Sequence, residues 1–330
     1  MGVPTVVSLF AGCGGSTLGY RWAGFRELLA VDLDTYACEI FSLNFPDIPV
    51  WQKDIGDITA KQIMQFCKIK EGQLDVLDGS PPCQGFSLSG KRQVGDLRNA
   101  LFDEYIRLVD GLRPKIFVAE NVSGMVKGTM KGRFKEIMAA FKALSYRVEC
   151  RMLNAMWYGT PQSRERLFFI GVRADIERVP AWPRHTVDKP ICIADALQAT
   201  LNGEDELQWA RHYSANKKLQ NILKRLKPGE KADKYDPKGH YFNIRRMDFG
   251  RPTWTIISEV SPRSIFLMPN EDRTLTISEL KRLCSFPDNF RLKGPFRRQW
   301  GLLGNAVMPL QMKAITETIR MKILDDDKLN

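Results

Sequence analysis

Residues 5–15 read TVVSLFAGCGG, and this stretch decides the fold of the chain. Its first part, Thr5–Phe10, is mostly β-branched or apolar, a composition typical of a buried strand. Glycines interrupt the run, and residues 16–24 have the spacing of a helix that ends in glycine. A strand, a glycine loop and a helix in this order predict the first unit of an α/β sheet, with a ligand site at the loop.

Strands and helices are predicted to alternate through the first half of the chain. Apolar runs predict further strands at residues 27–31, 50–51, 74–77, 116–119, 147–153 and 167–172, and helical spacing is found at 35–44, 102–112 and 133–144. Strands alternating with helices predict a mostly parallel sheet covered on both faces. After about residue 173 strands and helices no longer alternate, and the Pro-, Gly- and Arg-containing stretch 175–270 predicts a second, smaller domain. Helical spacing returns at 276–285 and 308–324.

The composition excludes several classes of protein. Of the 330 residues, 44% are hydrophobic and 26% are charged, which excludes a disordered or collagen-like chain. Because the chain has no run of eighteen apolar residues and no secretion signal, we expect a cytoplasmic protein without a membrane partner. The seven cysteines form no CxxC pair and three histidines are present, so we predict neither a disulfide framework nor a metal site.

The positive charge is unevenly distributed. The chain carries +11, and Arg211–Arg251 holds twelve Lys or Arg residues against four Asp or Glu residues, a net +8. A local basic segment of this kind indicates a polyanionic partner such as nucleic acid. From charge alone, a solvated lysine-rich surface explains the segment equally well.

Unusual residues fall where the predicted strands end. They are Gly12–Gly15, Asp32, Asp54, Pro81–Cys83 and Glu120–Asn121. Since ligands of parallel sheets bind at the carboxyl ends of the strands, we expect these residues to form one site.

The glycine loop and the two aspartates predict a nucleoside pocket. The loop has the spacing GxGG and lacks the third glycine of the dinucleotide fingerprint. Asp32, about twenty residues on, is placed to accept hydrogen bonds from ribose hydroxyls, and Asp54 to accept one from an exocyclic amine. The alternative is a glycine turn followed by two helix caps.

Cys83, Glu120 and two arginines are candidates for the chemistry. Most lone cysteines are inert, but Cys83 follows a strand end beside the glycine loop, and a thiolate there would need a lowered pKa. Glu120 at an open strand end suits proton donation or hydrogen bonding to a substrate. Arg164 and Arg166 alternate on an extended stretch and are predicted to share a face; surface pairing with Glu165 is the alternative.

These motifs resemble those of the DNA cytosine C5-methyltransferases. SLFAGCGG, GSPPCQGFS, ENV, QSRER, RTLTISELKRLCSFPDNF and GNAVMP occur in the family's order along nearly the whole chain. The resemblance implies an α/β fold, a Rossmann-like S-adenosylmethionine-dependent methyltransferase sheet with a smaller, irregular target-recognition domain. It implies a catalytic domain at 1–190 plus 300–330, recognition at 191–285 and a hinge at 286–299.

The resemblance also implies roles for the site residues. Cys83 would attack C6 of a flipped-out cytosine, Glu120 would hold N3 and the exocyclic amine, and Arg166 would reach O2 with Arg164 in support. For the cofactor S-adenosylmethionine, Phe10 would stack on the adenine, Asp32 would hold the ribose and Asp54 the adenine amine. The rest of the implied pocket is Ala11, Gly12, Cys13, Gly15, Leu33, Ile55, Pro82, Leu101, Asn305 and Val307.

Three positions depart from the family pattern. Asp32 stands where glutamate is usual, Leu33 where a larger side chain can border the adenine, and Ala306 where serine is common. Because none of these removes a catalytic group, we expect an active enzyme.

The implied partner is duplex DNA. Residues 84–101 resemble the family's mobile loop, in which Ser87, Ser89, Lys91 and Arg98 would contact DNA. Arg245, Arg246 and Arg251 are candidates for pairing with guanine edges, with phosphate contact as the alternative for each. We expect a monomer of the compact prokaryotic or phage type, with a cognate restriction endonuclease as a further partner.

Three other hypotheses about the function remain open. The related tRNA cytosine methyltransferases share these motifs but usually differ after the nucleophile. A DNA-binding homologue without catalysis is disfavoured by the intact Cys83, Glu120 and Arg166. An NAD-dependent oxidoreductase is disfavoured by the absence of GxGxxG and by the PPC loop.

Overall fold

The chain forms two compact units. The computed structural model describes residues 2–82, 100–126, 131–198, 203–211, 217–236, 238, 240–241, 243–261 and 264–325. The first unit comprises Met1–Asn154, Glu165–Arg184 and Pro309–Asn330, and the second comprises Ala155–Arg164 and His185–Met308.

A seven-stranded sheet organises the first unit. Its strands are β1 (Thr5–Leu9), β2 (Arg26–Asp32), β3 (Val50–Gln52), β4 (Val76–Gly79), β5 (Ile116–Val122), β6 (Tyr146–Asn154) and β8 (Glu165–Arg173). Their order is β3-β2-β1-β4-β5-β8-β6, in which the first five are parallel and β8 runs antiparallel to both β5 and β6. The mostly parallel α/β sheet predicted from the sequence is therefore confirmed.

Helices flank this sheet. They are α1 (Gly15–Trp22), α2 (Thr35–Asn44), α3 (Ala60–Cys67), α4 (Ala100–Leu112), α5 (Lys131–Ala143) and α11 (Pro309–Ile319), the last continued by a π-helical turn at Arg320–Leu324. The sequence analysis did not predict α3, whose start depends on a capping box between Thr59 and Gln62. No helix within the described residues is long and apolar enough to cross a membrane.

One buried tyrosine joins the two central parallel strands. The Tyr105 hydroxyl on α4 lies 2.9 Å from the carbonyl oxygens of both Leu77 on β4 and Val118 on β5. A Cβ atom at Gly79 would lie 2.5 Å from the Tyr105 ring, so the last residue of β4 has to be glycine for this ring to pack. The tyrosine thereby fixes the strand after which the SPPC motif begins.

Short elements build the second unit. They are β7 (Gln162–Ser163), α6 (Ile193–Leu197), α7 (Glu204–Arg211), α8 (Lys217–Leu223), β9 (Asn243–Arg246), β10 (Thr253–Trp254), β11 (Ser264–Leu267), α9 (Ile277–Leu283) and α10 (Phe296–Asn305). β7 pairs with β10 and β9 pairs with β11, both in parallel. A buried ion pair between Arg273 and Glu279 closes at 2.8 and 2.9 Å and anchors the start of α9.

Two buried carboxyl groups contact α1 in the first unit. Tyr20 on α1 approaches Asp78 on β4 at 3.3 Å, and the Thr17 hydroxyl donates to Glu27 on β2 at 3.2 Å. The Glu27 Oε2 atom is buried without a hydrogen-bond partner among the described residues. Burial, the largest cause, raises the pKa of Glu27 to about 8 and that of Asp78 to about 7.

These shifted pKa values predict an alkaline loss of stability. In an unfolded chain both carboxyl groups titrate at about pH 4, so the folded chain binds more protons than the unfolded chain between about pH 4 and about pH 8. The free energy of unfolding should therefore fall as the pH rises through this window and level off above it. Denaturant titrations across the window would measure the slope. A double variant Glu27→Gln, Asp78→Asn should have a flatter profile, and an equally steep one would contradict the assignment.

Candidate active site

Asp32 organises the part of the site that contains the glycine loop. One of its carboxylate oxygens accepts a hydrogen bond from the Gly12 amide at 2.8 Å, and the other accepts from the Asp34 amide at 2.9 Å. Its carbonyl accepts from the Lys53 amide at 3.0 Å, which ties the end of β3 to the end of β2. Burial raises the pKa of Asp32 despite these hydrogen bonds. Asp32 therefore holds the loop and the neighbouring strand end in one arrangement.

The loop backbone requires its glycines. Gly12 and Gly14 have φ of 56° and 94°, values that side chains with a Cβ rarely adopt, and Phe10 shares this left-handed region at 56°. A Cβ atom at Gly14 would also lie 2.3 Å from the Phe45 ring. The loop is thus folded tightly onto the start of α1 and leaves its backbone accessible to a ligand at Gly12, where a Cβ would meet nothing within 4 Å.

Most of the other residues predicted for the pocket in this unit follow the ends of neighbouring strands, whereas Leu101 lies on α4. Asp54 caps a short 3-10 turn by accepting from the Gly56 amide at 2.9 Å, and Ile55 behind it is buried. Leu33 is 63% exposed, so the side chain beside Asp32 is open to contact. Gly15 begins α1, Cys13 is buried, the Ala11 amide donates to the Val31 carbonyl, and Phe10 and Leu101 pack against the same apolar cluster as Ile55.

Two hydrogen bonds link the SPPC motif to the glycine loop and to the ENV motif. The Ser80 hydroxyl donates to the Phe10 carbonyl at 3.1 Å, and the buried Asn121 side-chain amide donates to the Pro81 carbonyl at 3.1 Å. The sequence analysis gave neither Ser80 nor Asn121 a role, although both belong to quoted motifs. Cys83, which follows Pro82 in the chain, lies outside the described residues.

Glu120 and Arg166 form an ion pair at the same edge of the sheet. The Arg166 Nε atom lies 2.9 Å from Glu120 Oε1, and the side chains are 16% and 14% exposed. Burial lowers the pKa of Arg166, and the Glu120 charge opposes that shift. The antiparallel register pairs Val122 with Arg166 and Glu120 with Phe168, so the two charged side chains are diagonal neighbours. The carboxylate partner of Arg166 is thus Glu120 rather than Glu165.

Arg164 belongs to the second unit and donates three hydrogen bonds to backbone carbonyls there. It donates to the carbonyls of Ile256, Gly304 and Ala306 at 3.0, 3.0 and 3.1 Å. The chain is not in a strand at this residue, so simple alternation with Arg166 does not extend through it. Its contacts fit a positioning role for the GNAVMP segment.

Two residues predicted for the cofactor pocket, Asn305 and Val307, also belong to the second unit. Asn305 ends α10 and is exposed, whereas Val307 is buried. Gln162, for which the sequence analysis gave no role, makes side-chain hydrogen bonds in the same unit. Its side chain accepts from the Ile256 amide at 3.0 Å and donates to the Leu283 carbonyl at 3.2 Å.

The three arginines predicted to read bases differ in their surroundings. Arg246 is buried, donates to the carbonyls of residues 223, 226, 268 and 271, and contacts the Asp272 carboxylate. Arg251 is 76% exposed and lies 3.5 Å from Asp248. Arg245 lies against the Trp254 and Phe266 rings. The four residues predicted to contact DNA from the loop, Ser87, Ser89, Lys91 and Arg98, lie outside the described residues.

No disulfide bond joins the cysteines of the described residues. Burial raises the pKa of Cys38, Cys67 and Cys284 to about 11 and raises that of Cys150 as well. These thiols are therefore poorly suited to act as thiolates. Within the part of the chain that the structure describes, no group of three or more His, Cys, Asp or Glu side chains could hold a metal ion.

The sheet, its glycine loop and the polar side chains along its carboxyl edge define the class of Rossmann-like α/β proteins, whose ligands bind at that edge. The family model described as C-5 cytosine-specific DNA methylase matches residues 4–321. The chain belongs to this family and is a DNA (cytosine-5-)-methyltransferase. The resemblance found in the sequence is thereby confirmed.

Curated relatives and solved structures agree with this assignment. The Type II methyltransferase M1.HphI of Haemophilus parahaemolyticus is 34% identical over 96% of this chain and 86% of its own length. M.XorII of Xanthomonas oryzae pv. oryzae, also a Type II methyltransferase, is 31% identical over 94% and 83%. A crystal structure of a DNA modification methyltransferase encoded within an E. coli prophage is 25% identical, with a TM-score of 0.75 over 97% and 99% of the two chains. The S. pombe Dnmt2 methyltransferase, at 17% identity and a TM-score of 0.69 over 98% and 100%, shares the fold.

The ion pair predicts a large difference between two carboxylate replacements. Glu120→Gln should lower the free energy of unfolding by about 2 kcal/mol or more, because it leaves the Arg166 charge buried without a counter-charge. The matched control is Asp47→Asn, which breaks the exposed pair of Arg21 and Asp47, with side chains 41% and 66% exposed. That change should cost less than about 1 kcal/mol. Equal losses for the two variants in denaturant unfolding would contradict the structural importance of the pair.

Proposed function

We propose that the enzyme methylates C5 of a flipped-out cytosine in a specific duplex DNA sequence, using Cys83 as a covalent nucleophile and S-adenosylmethionine as methyl donor. The observation that supports this best is the Glu120–Arg166 pair at 2.9 Å, because an acid and an arginine with fixed spacing suit the polar edge of a cytosine. A base stacked in a duplex cannot reach such a pair, so the target has to leave the stack.

Glu120 and Arg166 divide the polar edge of the base between them. Protonated Glu120 donates to N3 and accepts from the exocyclic amine, and Arg166 donates to O2. Charge that develops on the ring as C6 is attacked is stabilised by these fixed groups. Because their pairing is already formed within the folded unit, the groups need little rearrangement when the base arrives.

Cys83 supplies the nucleophile in this scheme. Its thiolate adds to C6 and forms a carbon–sulfur bond, which moves electron density to C5 and makes C5 nucleophilic. Once C5 carries the methyl group, loss of the C5 proton to a base and cleavage of the carbon–sulfur bond restore the ring and the thiolate. Support comes from the raised pKa values of four other cysteines and from Pro81, which Asn121 holds two residues before Cys83.

The glycine-loop end has the chemistry that a nucleoside needs. Asp32 would hold the ribose and Asp54 the adenine amine, with Phe10 and Leu33 bordering the ring. The fit rests on a carboxylate at the end of β2, a loop whose backbone is open at Gly12 and the exposed side chain of Leu33. When bound, S-adenosylmethionine supplies an electrophilic methyl group.

The second unit is proposed to recognise DNA. Its segment from residue 217 to residue 251 carries eleven of the twelve Lys or Arg residues found between Arg211 and Arg251, and phosphate contacts by such residues position a protein on DNA. The curated relatives at 31% and 34% identity are Type II methyltransferases, which favours DNA over tRNA as the substrate. A cytoplasmic location, action as a monomer and a cognate restriction endonuclease remain parts of the same proposal.

The covalent step predicts a sharp difference between two cysteine replacements. Cys83→Ser should lower methyl transfer to duplex DNA at least about 10³-fold, because a serine hydroxyl is not ionised near neutral pH. The matched control Cys150→Ser, on β6, should keep its activity. Binding of S-adenosylmethionine, measured by calorimetry, and thermal unfolding should be nearly unchanged in both. Substantial turnover by the Cys83→Ser variant would exclude Cys83 as the nucleophile.

A further inference from the structure

Arg245 lies against two aromatic rings in the second unit. It lies on β9, where the register pairs it with Phe266 on β11. Its guanidinium carbon lies 5.7 Å from the centre of the Phe266 ring and 5.5 Å from that of the Trp254 ring. Contacts of this kind favour a fixed plane for the guanidinium group.

Unlike Arg246, Arg245 makes no side-chain hydrogen bond to another described residue. Its Nε atom is buried without a hydrogen-bond partner among the described residues, and no carboxylate among them forms an ion pair with it. Arg246 and Arg273, in the same unit, are each saturated by carbonyl and carboxylate oxygens. Burial lowers the pKa of Arg245, and Asp233 is the charge that opposes the shift. A partly buried charge that lacks acceptors is costly unless an outside group supplies them.

The fixed plane selects the kind of acceptor. A planar guanidinium fork matches a planar group that offers two acceptors side by side, and in the DNA major groove this is the O6 and N7 edge of guanine. A phosphate also accepts a bidentate guanidinium fork, but a lysine can bind phosphate as a point charge, so a fixed plane is required for the base edge and not for the phosphate. The half-buried position of Arg245 on a strand also suits a base edge better than a mobile surface contact.

We propose that Arg245 reads a guanine of the recognition sequence, with Trp254 and Phe266 holding its guanidinium plane. This specificity assignment rests on the proposed DNA methylation. It separates Arg245 from Arg246, whose donors are occupied by its own unit, and from Arg251, whose side chain is 76% exposed beside Asp248.

The test uses the full chain and a library of duplexes with random bases around cytosine, read by bisulfite sequencing. The wild-type enzyme should require guanine at one position or more. At one of these positions, Arg245→Gln should lower the preference for guanine about 10-fold or more. The same variant should raise the preference for adenine there, because a Gln amide matches the adenine N6 and N7 edge. Arg245→Lys keeps the charge without the fork and should lose the same preference. It also provides the measurement if the Gln variant does not fold.

The matched control is Arg225→Gln, in which the arginine lies over the Tyr235 ring at 4.8 Å but is exposed. Its base preferences should match those of the wild type. If the Arg245 variants lose methyl transfer uniformly across all sequences and their DNA binding depends less steeply on salt, the proposal is overturned in favour of phosphate contact. Reduced stability with unchanged preferences would overturn it in favour of packing. A wild-type chain that methylates no DNA would instead overturn the proposed function itself.

Discussion

The pairing of Glu120 with Arg166 is the constraint on which the rest of the site depends. Two charged side chains that are each less than one-fifth exposed are tolerated because they neutralise one another at 2.9 Å. Their spacing is set by the antiparallel register of β5 and β8, and β5 in turn is tied to β4 by Tyr105. In the proposed mechanism the same pair also presents an acceptor and a donor to the substrate, so that stability and substrate binding would share one pair of residues.

Hydrogen bonds connect this pair to the rest of the strand ends. Asn121, next to Glu120, holds Pro81; Ser80 holds the carbonyl of Phe10; and the loop that follows Phe10 is held by Asp32. Each link joins a loop to a neighbouring strand of one rigid sheet. The proposed nucleophile segment and the proposed cofactor loop are therefore positioned by the same scaffold, which suits a reaction that requires close alignment of two reactants.

Local patterns in the sequence predicted the strands and the polar residues at their ends, because buried parallel strands are apolar runs and their ligands lie at their carboxyl ends. Partners distant in sequence could not be predicted in this way, as the Asn121–Pro81 and Gln162–Leu283 contacts show. The two adjacent arginines of β9 illustrate the same limit. Alternation predicts opposite faces for Arg245 and Arg246, but it does not say which side chain meets carbonyl groups and which meets aromatic rings.

The central claim is that this edge of the sheet supports covalent attack on cytosine by Cys83. Incubation of the enzyme with S-adenosylmethionine and a duplex carrying 5-fluorocytosine at the methylated position tests it most directly. Fluorine at C5 cannot leave as a proton, so the account predicts a stable protein–DNA adduct whose tryptic peptide carries the modified base on Cys83. An enzyme that methylates the unmodified duplex yet forms no adduct, or forms one at another residue, would contradict the account.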